Sequence, residues 1–312
     1  MNPYFFIFEL GAIFLFLMIF FHERKNQDIR EVLLLSFAYG IILEALNIYM
    51  SKQFYVYNSG FALEILGVPL AIGAGWAVAY YLSSEIVGRF DFVWWQSPFL
   101  MALVAFLYDL SMDVIAIRAG FWSWQIALDE QWFGVPYGNF FGWLAVVWTF
   151  ALFINLSRQD FIKPGFQKMI RFAAPFTSAL LLGMQIMIFT DLSAALSGAS
   201  SLGGTIKLFA KQDYSYANMP GVQAMQGYVL LAIILIFSYL FFKGVRDKKF
   251  VGKINKFVLF CSISIHLFFL FMLFTMDIYR DLPVLFLASI VALALDLFFE
   301  TYPLGSFEKN EY

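Results

Sequence analysis

The sequence predicts an all-α polytopic membrane protein, a single transmembrane domain over residues 1–312 that crosses the bilayer about nine times. Of its 312 residues, 62% are hydrophobic and only 13% are charged, whereas soluble proteins carry about 25% charged residues. Nine apolar runs each approach the roughly 20 residues that a helix needs to cross the hydrocarbon core. These runs fall at about 3–21, 32–50, 64–87, 96–117, 137–156, 172–190, 223–242, 255–276 and 282–299.

The distribution of Lys and Arg predicts how these runs are oriented. If the N-terminus lies outside, fifteen of the 20 Lys and Arg residues fall on the inner side and five on the outer side. Basic residues accumulate in cytoplasmic loops, so we expect the N-terminus outside and the C-terminus in the cytoplasm. The first run ends in His22-Glu-Arg-Lys25 and has no basic leader, so it is expected to be a retained helix of a protein in the cytoplasmic (inner) membrane. We call the two predicted sides outer and inner.

The other composition data exclude several classes of protein. A net charge of −2 argues against a nucleic-acid partner. The single cysteine, Cys261, rules out an intrachain disulfide and a Cys-based metal site. Two histidines are too few for a His-rich metal cluster, and His266 is expected to form a hydrogen bond between helices. The sequence therefore predicts no metal and no cofactor.

Carboxylates within the apolar runs are the strongest indication of a functional site. A charged group inside hydrocarbon costs several kcal/mol, and so by default it marks a site with a partner. Asp109 and Asp113 are one helical turn apart and should share one face of the fourth run. Glu44 near the end of the second run, and Glu64 ahead of the third, are expected at the same outer depth. Glu9, Asp191 and Asp277 share that side but are expected to be solvated, and Asp296 is expected to lie apart, near the inner end.

A tandem repeat connects these segments. Tyr55-Val-Tyr57, Gly67-Val-Pro69 and Trp76 recur as Trp122-Ser-Trp124, Gly134-Val-Pro136 and Trp143, always 67 residues later. The predicted copies span about 35–87 (helices 2 and 3) and 102–154 (helices 4 and 5), both in the same orientation. Each proline is expected at the first helical position. Sites in repeat-built membrane proteins tend to lie where the repeats meet. The less hydrophobic segment 191–222 is predicted to be an outer loop.

These motifs resemble those of a known family. Gly120-x-Trp122-x-Trp124, then Phe133-Gly-Val-Pro136-x-x-Asn139-Phe-x-Gly-Trp143, with Asp109 and Asp113 ahead, is similar to the membrane-integral carotenoid biosynthesis family. That family includes the CruF-type carotenoid 1′,2′-hydratase and the bisanhydrobacterioruberin hydratase. The resemblance covers roughly residues 35–150, although Val114 follows Asp113 where members often carry proline.

The resemblance implies a carotenoid hydratase. The substrate would be an acyclic carotenoid with a ψ end group, and water would add across its terminal C1,2 double bond. The lipid bilayer would surround both enzyme and substrate, and other membrane enzymes of the carotenoid pathway would be candidate partners.

The chemistry of such a reaction can also be matched to the residues themselves. Forming a tertiary carbocation from an alkene needs a strong proton donor, and a carboxylic acid in apolar surroundings keeps its proton near neutral pH. Aromatic faces stabilise a cation by about 0.5–2 kcal/mol each. The candidate catalytic residues are Asp113, Asp109, Glu64 and Glu44, with Asp109 expected to orient Asp113. The candidate substrate-binding residues are Trp122, Trp124, Trp143, Trp76, Asn139 and Tyr57.

Several alternatives remain open at the level of sequence. Asp113 could pair with Arg118 or with a Trp N–H. Glu64 could simply cap a helix and have no catalytic role. The tryptophans could form interfacial belts. A dry site would favour a lycopene-cyclase-like enzyme, in which the cation closes a ring. A proton-coupled transporter or carrier would need a pocket open alternately to both sides. A Phe-lined pocket that opens toward lipid and ends at Asp113 would favour an enzyme with a hydrophobic substrate.

Overall fold

The computed structural model describes residues 3–51, 55–199, 219–247 and 254–301. Within these ranges, nine helices are long and apolar enough to cross a membrane, which confirms the predicted fold class. They are α1 (Pro3–His22), α2 (Gln27–Ser51), α3 (Leu70–Gly88), α4 (Ser97–Ala119), α5 (Tyr137–Leu156), α6 (Pro164–Leu196), α7 (Pro220–Asp247), α8 (Lys256–Thr275) and α10 (Pro283–Thr301), with a single turn, α9 (Ile278–Asp281), before the last. Most of the expected outer loop 191–222 lies outside the described residues.

The central helix is α4, which carries the two aspartates. It is the most buried of the spanning helices, with 83% of its membrane window inside the protein, against 28% for α1, α6 and α10. It packs against α3, α5, α7, α8 and α10. Since neighbouring helices surround α4 in this way, polar side chains along its length are shielded from lipid.

The third helix starts later than predicted. Residues 64–69 form a hairpin of β2 (Glu64–Ile65) and β3 (Val68–Pro69), with Leu66 and Gly67 at positive φ in the turn. Pro69 has an extended backbone (φ −60°, ψ 136°) and is the N-cap of α3, so it lies one residue ahead of the first helical position, where it was expected. The first six residues of the apolar run at about 64–87 are therefore a hairpin and not helix, because a short apolar run does not distinguish a strand from the beginning of a helix.

The second copy of the motif has the same backbone. Phe133 and Gly134 are at φ +51° and +88°, where Leu66 and Gly67 are at +55° and +75°. Pro136 is the N-cap of α5 with φ −63° and ψ 140°. Both turns also carry a matching antiparallel pair, Ile65↔Val68 in one and Trp132↔Val135 in the other. The tandem duplication stays a prediction, and these matched geometries support it.

The two aromatic-x-aromatic segments pair with each other. β1 (Tyr55–Tyr57) and β4 (Trp122–Trp124) form an antiparallel ladder in which Tyr55 lies opposite Trp124 and Tyr57 opposite Trp122. The first aromatic residue of each segment therefore lies opposite the second aromatic residue of the other segment. This arrangement brings the two halves into contact at the outer ends of α2 and α4.

Glu9 is a correction to the sequence interpretation. Its side chain was expected to be solvated, but it is only 4% exposed. It accepts the backbone N–H groups of Ala62 at 3.0 Å and Leu63 at 2.9 Å. Two charge-assisted hydrogen bonds compensate for the burial of the carboxylate, and they fix the loop after β1 to α1.

Candidate active site

Three of the four candidate carboxylates lie together, on the walls of one cavity or directly behind it. The cavity has a volume of about 340 Å³, at the lower end of the range for small-molecule sites. Glu44 of α2 and Asp113 of α4 face it, and Asp109 lies one turn from Asp113 on α4. The other polar side chains of the lining are Asn47, Tyr55, Tyr57, Tyr108, Asn139 and Ser264. All four predicted tryptophans, Trp76, Trp122, Trp124 and Trp143, also line it.

Asp109 and Asp113, which we call the acid pair, share one donor. The Asn139 amide nitrogen donates to Asp109 Oδ2 at 3.2 Å and also to Asp113 Oδ2. Asn139 is held in place because it lies in the first turn of α5, directly after the Pro136 cap. Asp109 is completely buried, and its Oδ1 has no hydrogen-bond partner among the described residues. Two carboxyl groups this close in an apolar site cannot easily both ionise, so the pair retains a proton.

Arg118 does not neutralise Asp113. Its guanidinium donates to the backbone carbonyl oxygens of Val114 at 3.1 Å, Phe133 at 2.9 Å and Leu128 at 3.3 Å. The alternative of an ion pair with Asp113 was therefore wrong, because Arg118 anchors the connection between α4 and α5 instead. The other alternative was a tryptophan N–H, and Trp122 lines the same cavity as Asp113, but its Nε1 has no hydrogen-bond partner among the described residues.

Glu44 occupies the wall formed by α2 and has its own donors. Trp76 Nε1 donates to Glu44 Oε1 at 3.0 Å, and Tyr57 and Asn47 line the same cavity. Trp76 is only 8% exposed, so this residue is part of the site and does not belong to an interfacial belt. Glu44 thus differs from the acid pair in accepting an indole N–H and in having no second carboxyl group in contact among the described residues.

The β1 tyrosines, which lie outside the spanning helices, stay protonated. Burial raises the pKa of both the Tyr55 and the Tyr57 hydroxyl well above the usual value, and the negative charge of Glu44 adds to the shift. Both hydroxyl groups are therefore permanent hydrogen-bond donors at the end of the cavity.

Aromatic rings form much of the surface around the carboxyl groups. The Trp76 and Trp143 rings, from equivalent positions of the two copies, contact each other with centroids 4.2 Å apart. Tyr55 stacks on Trp124 at 4.1 Å. Such faces carry negative quadrupole potential and are suited to a cationic species between Glu44 and Asp113.

The position of Trp76 depends on a close approach by Gly40. A Cβ atom at Gly40 of α2 would lie 2.9 Å from Trp76 Cβ and from Cδ1. We expect Gly40→Ala to destabilise the protein by about 1–3 kcal/mol, because the overpacked wall must shift Trp76 away from Glu44. Thermal unfolding in detergent would measure this effect. Gly75→Ala is the matched control, since nothing lies within 4 Å of its added Cβ, and equal loss in both variants would contradict the explanation.

The structure separates Glu64 from the other candidates. It lies exposed on β2, in the hairpin ahead of α3, and it is not part of the cavity lining. At the equivalent position of the second copy, Gln131 Oε1 accepts the Tyr137 N–H at 2.8 Å. In the second copy, the residue at this position therefore accepts the first backbone N–H of α5.

Sequence reasoning missed the two walls formed by α1 and α8, and it also missed Tyr108. Tyr108 could have been found from helical spacing, because it precedes Met112 by four residues on α4, and both line the cavity. Gly11 of α1 and Phe260 of α8 carry no such signal, since an apolar residue in a spanning helix is the default.

The cavity opens sideways between α1 and α8. Phe14 and Phe260 line it from these two helices and are still 64% and 58% exposed. Toward the outer side the helices meet where Phe8 contacts Phe268 and Phe269, with centroids 6.3 Å apart in each case. Toward the inner side His22 stacks on Phe257 at 3.7 Å. Between these contacts lies an opening at membrane depth, which we call the side opening.

Comparison with known proteins gives one match. The family model described as "Carotenoid biosynthesis protein" matches residues 1–206, which include α1 to α6 and all three carboxylates of the site. No curated protein and no solved structure matches the chain. Within the described residues, no group of three or more His, Cys, Asp or Glu side chains could hold a metal ion.

Proposed function

The chain belongs to the carotenoid biosynthesis protein family, and from this premise we propose that it is an enzyme that hydrates the terminal C1,2 double bond of an acyclic, ψ-end carotenoid. The observation that carries the proposal is a buried carboxyl pair at the end of an apolar cavity that opens toward lipid. A membrane-dissolved polyene reaches such a cavity without passing through water. We place the enzyme in the cytoplasmic membrane, where other enzymes of carotenoid synthesis are its candidate partners.

Asp113 is the proton donor in this proposal. It faces the cavity, whereas Asp109 lies behind it and shares Asn139 with it. Asp113 transfers its proton to C2 of the terminal double bond, and C1 becomes a tertiary carbocation. The negative charge left behind is spread over the acid pair and held by the Asn139 amide. General acid catalysis of this type contributes about 10²–10⁴-fold to a rate.

Glu44 accepts the proton that the attacking water releases. A water molecule attacks C1 of the cation, and the C–O bond forms as the water loses a proton to Glu44. Trp76 donates to Oε1 of Glu44, whereas Oε2 has no hydrogen-bond partner among the described residues. That oxygen is free to accept from water. The net reaction is substrate plus water to tertiary alcohol, with no proton gained or lost.

The same cavity bears on the alternatives. A cyclase needs a dry site around the cation, but here Asn47, Asn139, Tyr55 and Tyr57 surround it with groups that bind water. A transporter needs access from both sides in turn, whereas the opening seen here is lateral. Both features support hydration, and product analysis separates it from cyclisation.

The test is a reaction of the purified protein in liposomes with lycopene as the substrate. We expect a tertiary alcohol that contains ¹⁸O when the reaction runs in H₂¹⁸O. A ring-closed isomer without oxygen would replace the proposal by the cyclase. An unchanged substrate, with the protein folded, would refute both.

Entry from lipid makes a separate prediction. Gly11 lines the side opening, and a Cβ there would meet nothing within 4 Å, so Gly11→Leu should fold normally while narrowing the opening. We expect kcat/KM for hydration in liposomes to fall by about tenfold or more, which corresponds to roughly 1.4 kcal/mol in transition-state binding. Gly183→Leu on α6 is the control, because it adds the same side chain in open space away from the cavity. Equal rates for the two variants would show that substrate enters elsewhere.

A further inference from the structure

The proposed reaction needs water, but aromatic rings pack together at the outer end of the cavity on the side of α1. Four phenylalanines, which we call the aromatic cap, pack together there: Phe5, Phe8, Phe61 and Phe121. Phe121 is completely buried and contacts Phe5 at 5.0 Å and Phe8 at 4.8 Å. The side opening faces hydrocarbon. Neither of these two boundaries offers water a polar path.

A chain of polar groups leaves the cavity in the opposite direction. Tyr108 lines the cavity, and its hydroxyl lies 2.9 Å from Ser262 Oγ on α8. Ser262 in turn donates to Asp296 on α10. His266 Nε2 lies 3.3 Å from Asp296 Oδ2. All four side chains are at most 4% exposed, so the contacts cross the packed interior between α4, α8 and α10.

The chain continues toward the inner side through Glu300. This residue is one turn beyond Asp296 on α10, so the two carboxyl groups share one face of the helix. It is 3% exposed, yet neither of its carboxyl oxygens has a hydrogen-bond partner among the described residues, and the same holds for Asp296 Oδ1. Arg89, the C-cap of α3, donates to the Glu300 backbone carbonyl, which places this end at the inner ends of two helices.

Buried polar atoms without a protein partner are normally satisfied by internal water. Three carboxyl oxygens of this kind lie in one column, and the column ends at Tyr108, a residue of the cavity wall. Hydration of the column would satisfy every one of them. An apolar packing role does not explain two carboxyl groups at this depth, since each is costly to bury.

We propose that Glu300, Asp296, Ser262, His266 and Tyr108 form a hydrated passage that delivers water, and exchanges protons, between the inner face and the cavity. The role of this passage in delivering water rests on the proposed hydratase function. Each turnover consumes one water, removes the Asp113 proton and adds a proton to Glu44. Proton exchange through the passage returns Asp113 and Glu44 to their starting states, so that the atoms balance over a cycle.

The first test detects the water itself and does not depend on activity. X-ray radiolysis converts bound water to hydroxyl radicals, which oxidise the side chains beside it. We expect His266 to be oxidised in the intact protein and Tyr39 not to be, although both are at most 4% exposed, because Tyr39 packs on Phe150 away from the column. Equal labelling of the two residues would overturn the passage.

The second test uses the fate of the carbocation in D₂O. A cation that water does not capture returns a proton from C2, and the recovered substrate then carries deuterium there. With less water delivered, Asp296→Asn and the milder Ser262→Ala should raise the ratio of deuterated substrate to hydrated product severalfold. Ser289→Ala is the control, because this buried serine of α10 only bonds to its own helix, at Leu285 O.

The outcomes separate the two proposals. A ratio that stays at the wild-type value in both variants, while hydration falls, shows a merely structural role and refutes the passage. If Asp296→Asn does not fold, Ser262→Ala decides alone. A wild-type protein that forms no alcohol, but shows oxidised His266, refutes the hydratase and leaves the water passage supported.

Discussion

Asp113→Asn is expected to abolish hydration while the protein remains folded and inserted in the membrane. Asparagine has nearly the same size as aspartate, and its carbonyl oxygen can still accept the Asn139 N–H that now reaches Asp113 Oδ2. What is lost is the transferable proton. The rate should therefore fall by about 10²–10⁴-fold or more, the contribution of a general acid. Quantifying the alcohol formed in liposomes, at matched amounts of folded protein, measures the effect.

Two further variants make this result specific. Asp277→Asn removes a carboxylate whose side chain is 62% exposed and which faces Arg280 at 3.3 Å, so hydration should not change. Asp109→Asn should lower the rate of hydration by an intermediate factor. Asp109 does not face the cavity, but its substitution removes the second carboxyl group from the acid pair. Full activity of Asp113→Asn would exclude it as the donor, whatever the other variants show.

The spanning helices were predictable because a bilayer leaves the backbone few choices. Without water, every N–H and C=O group must be satisfied internally, so long apolar runs become helices. The same reasoning fails in the connections. Residues 64–69 form a hairpin, and a run of six residues at a helix start carries too little periodicity to reveal it.

The candidate site was predictable where its residues share a helix. Asp109 and Asp113 lie one turn apart on α4, so their proximity follows from local geometry. Asn139 and the tryptophans lie on other elements, and only the motif spacing connected them with the aspartates. The burial of Glu9 and Glu64 is the reverse of what was expected, because contacts with residues distant in sequence determine it. Glu9 is buried against backbone groups of Ala62 and Leu63, 53 and 54 residues away, whereas Glu64 stays exposed.

Asp296 shows the same limit more strongly. The sequence placed it near an inner helix end, apart from the other carboxylates, and nothing in hydropathy relates α4, α8 and α10. Their packing brings Ser262 and His266 onto Asp296, and Tyr108 onto Ser262. The arrangement of the helices around α4 depends on side-chain fit between segments that are distant in sequence. No local pattern in a single sequence reveals that fit.

Glu44→Gln is expected to stop hydration at a different step from Asp113→Asn. Glutamine keeps an oxygen that can accept the Trp76 N–H, now made to Glu44 Oε1 at 3.0 Å, but it cannot take a proton from the attacking water. The carbocation should still form, so deuterium from D₂O should still enter C2 of the recovered substrate, whereas the alcohol decreases by about 10²-fold or more. In Asp113→Asn both signals should disappear, because the cation is never made.

This contrast assigns the two carboxyl groups without assuming either role. If Glu44→Gln loses deuterium exchange and Asp113→Asn keeps it, Glu44 is the donor and the acid pair accepts from water. If both variants keep normal hydration, the chemistry does not take place between α2 and α4. The assignment proposed here rests on a structural difference. Asp113 has a second carboxyl group beside it, which favours a retained proton, whereas Glu44 accepts the Trp76 N–H at 3.0 Å, which favours a negative charge.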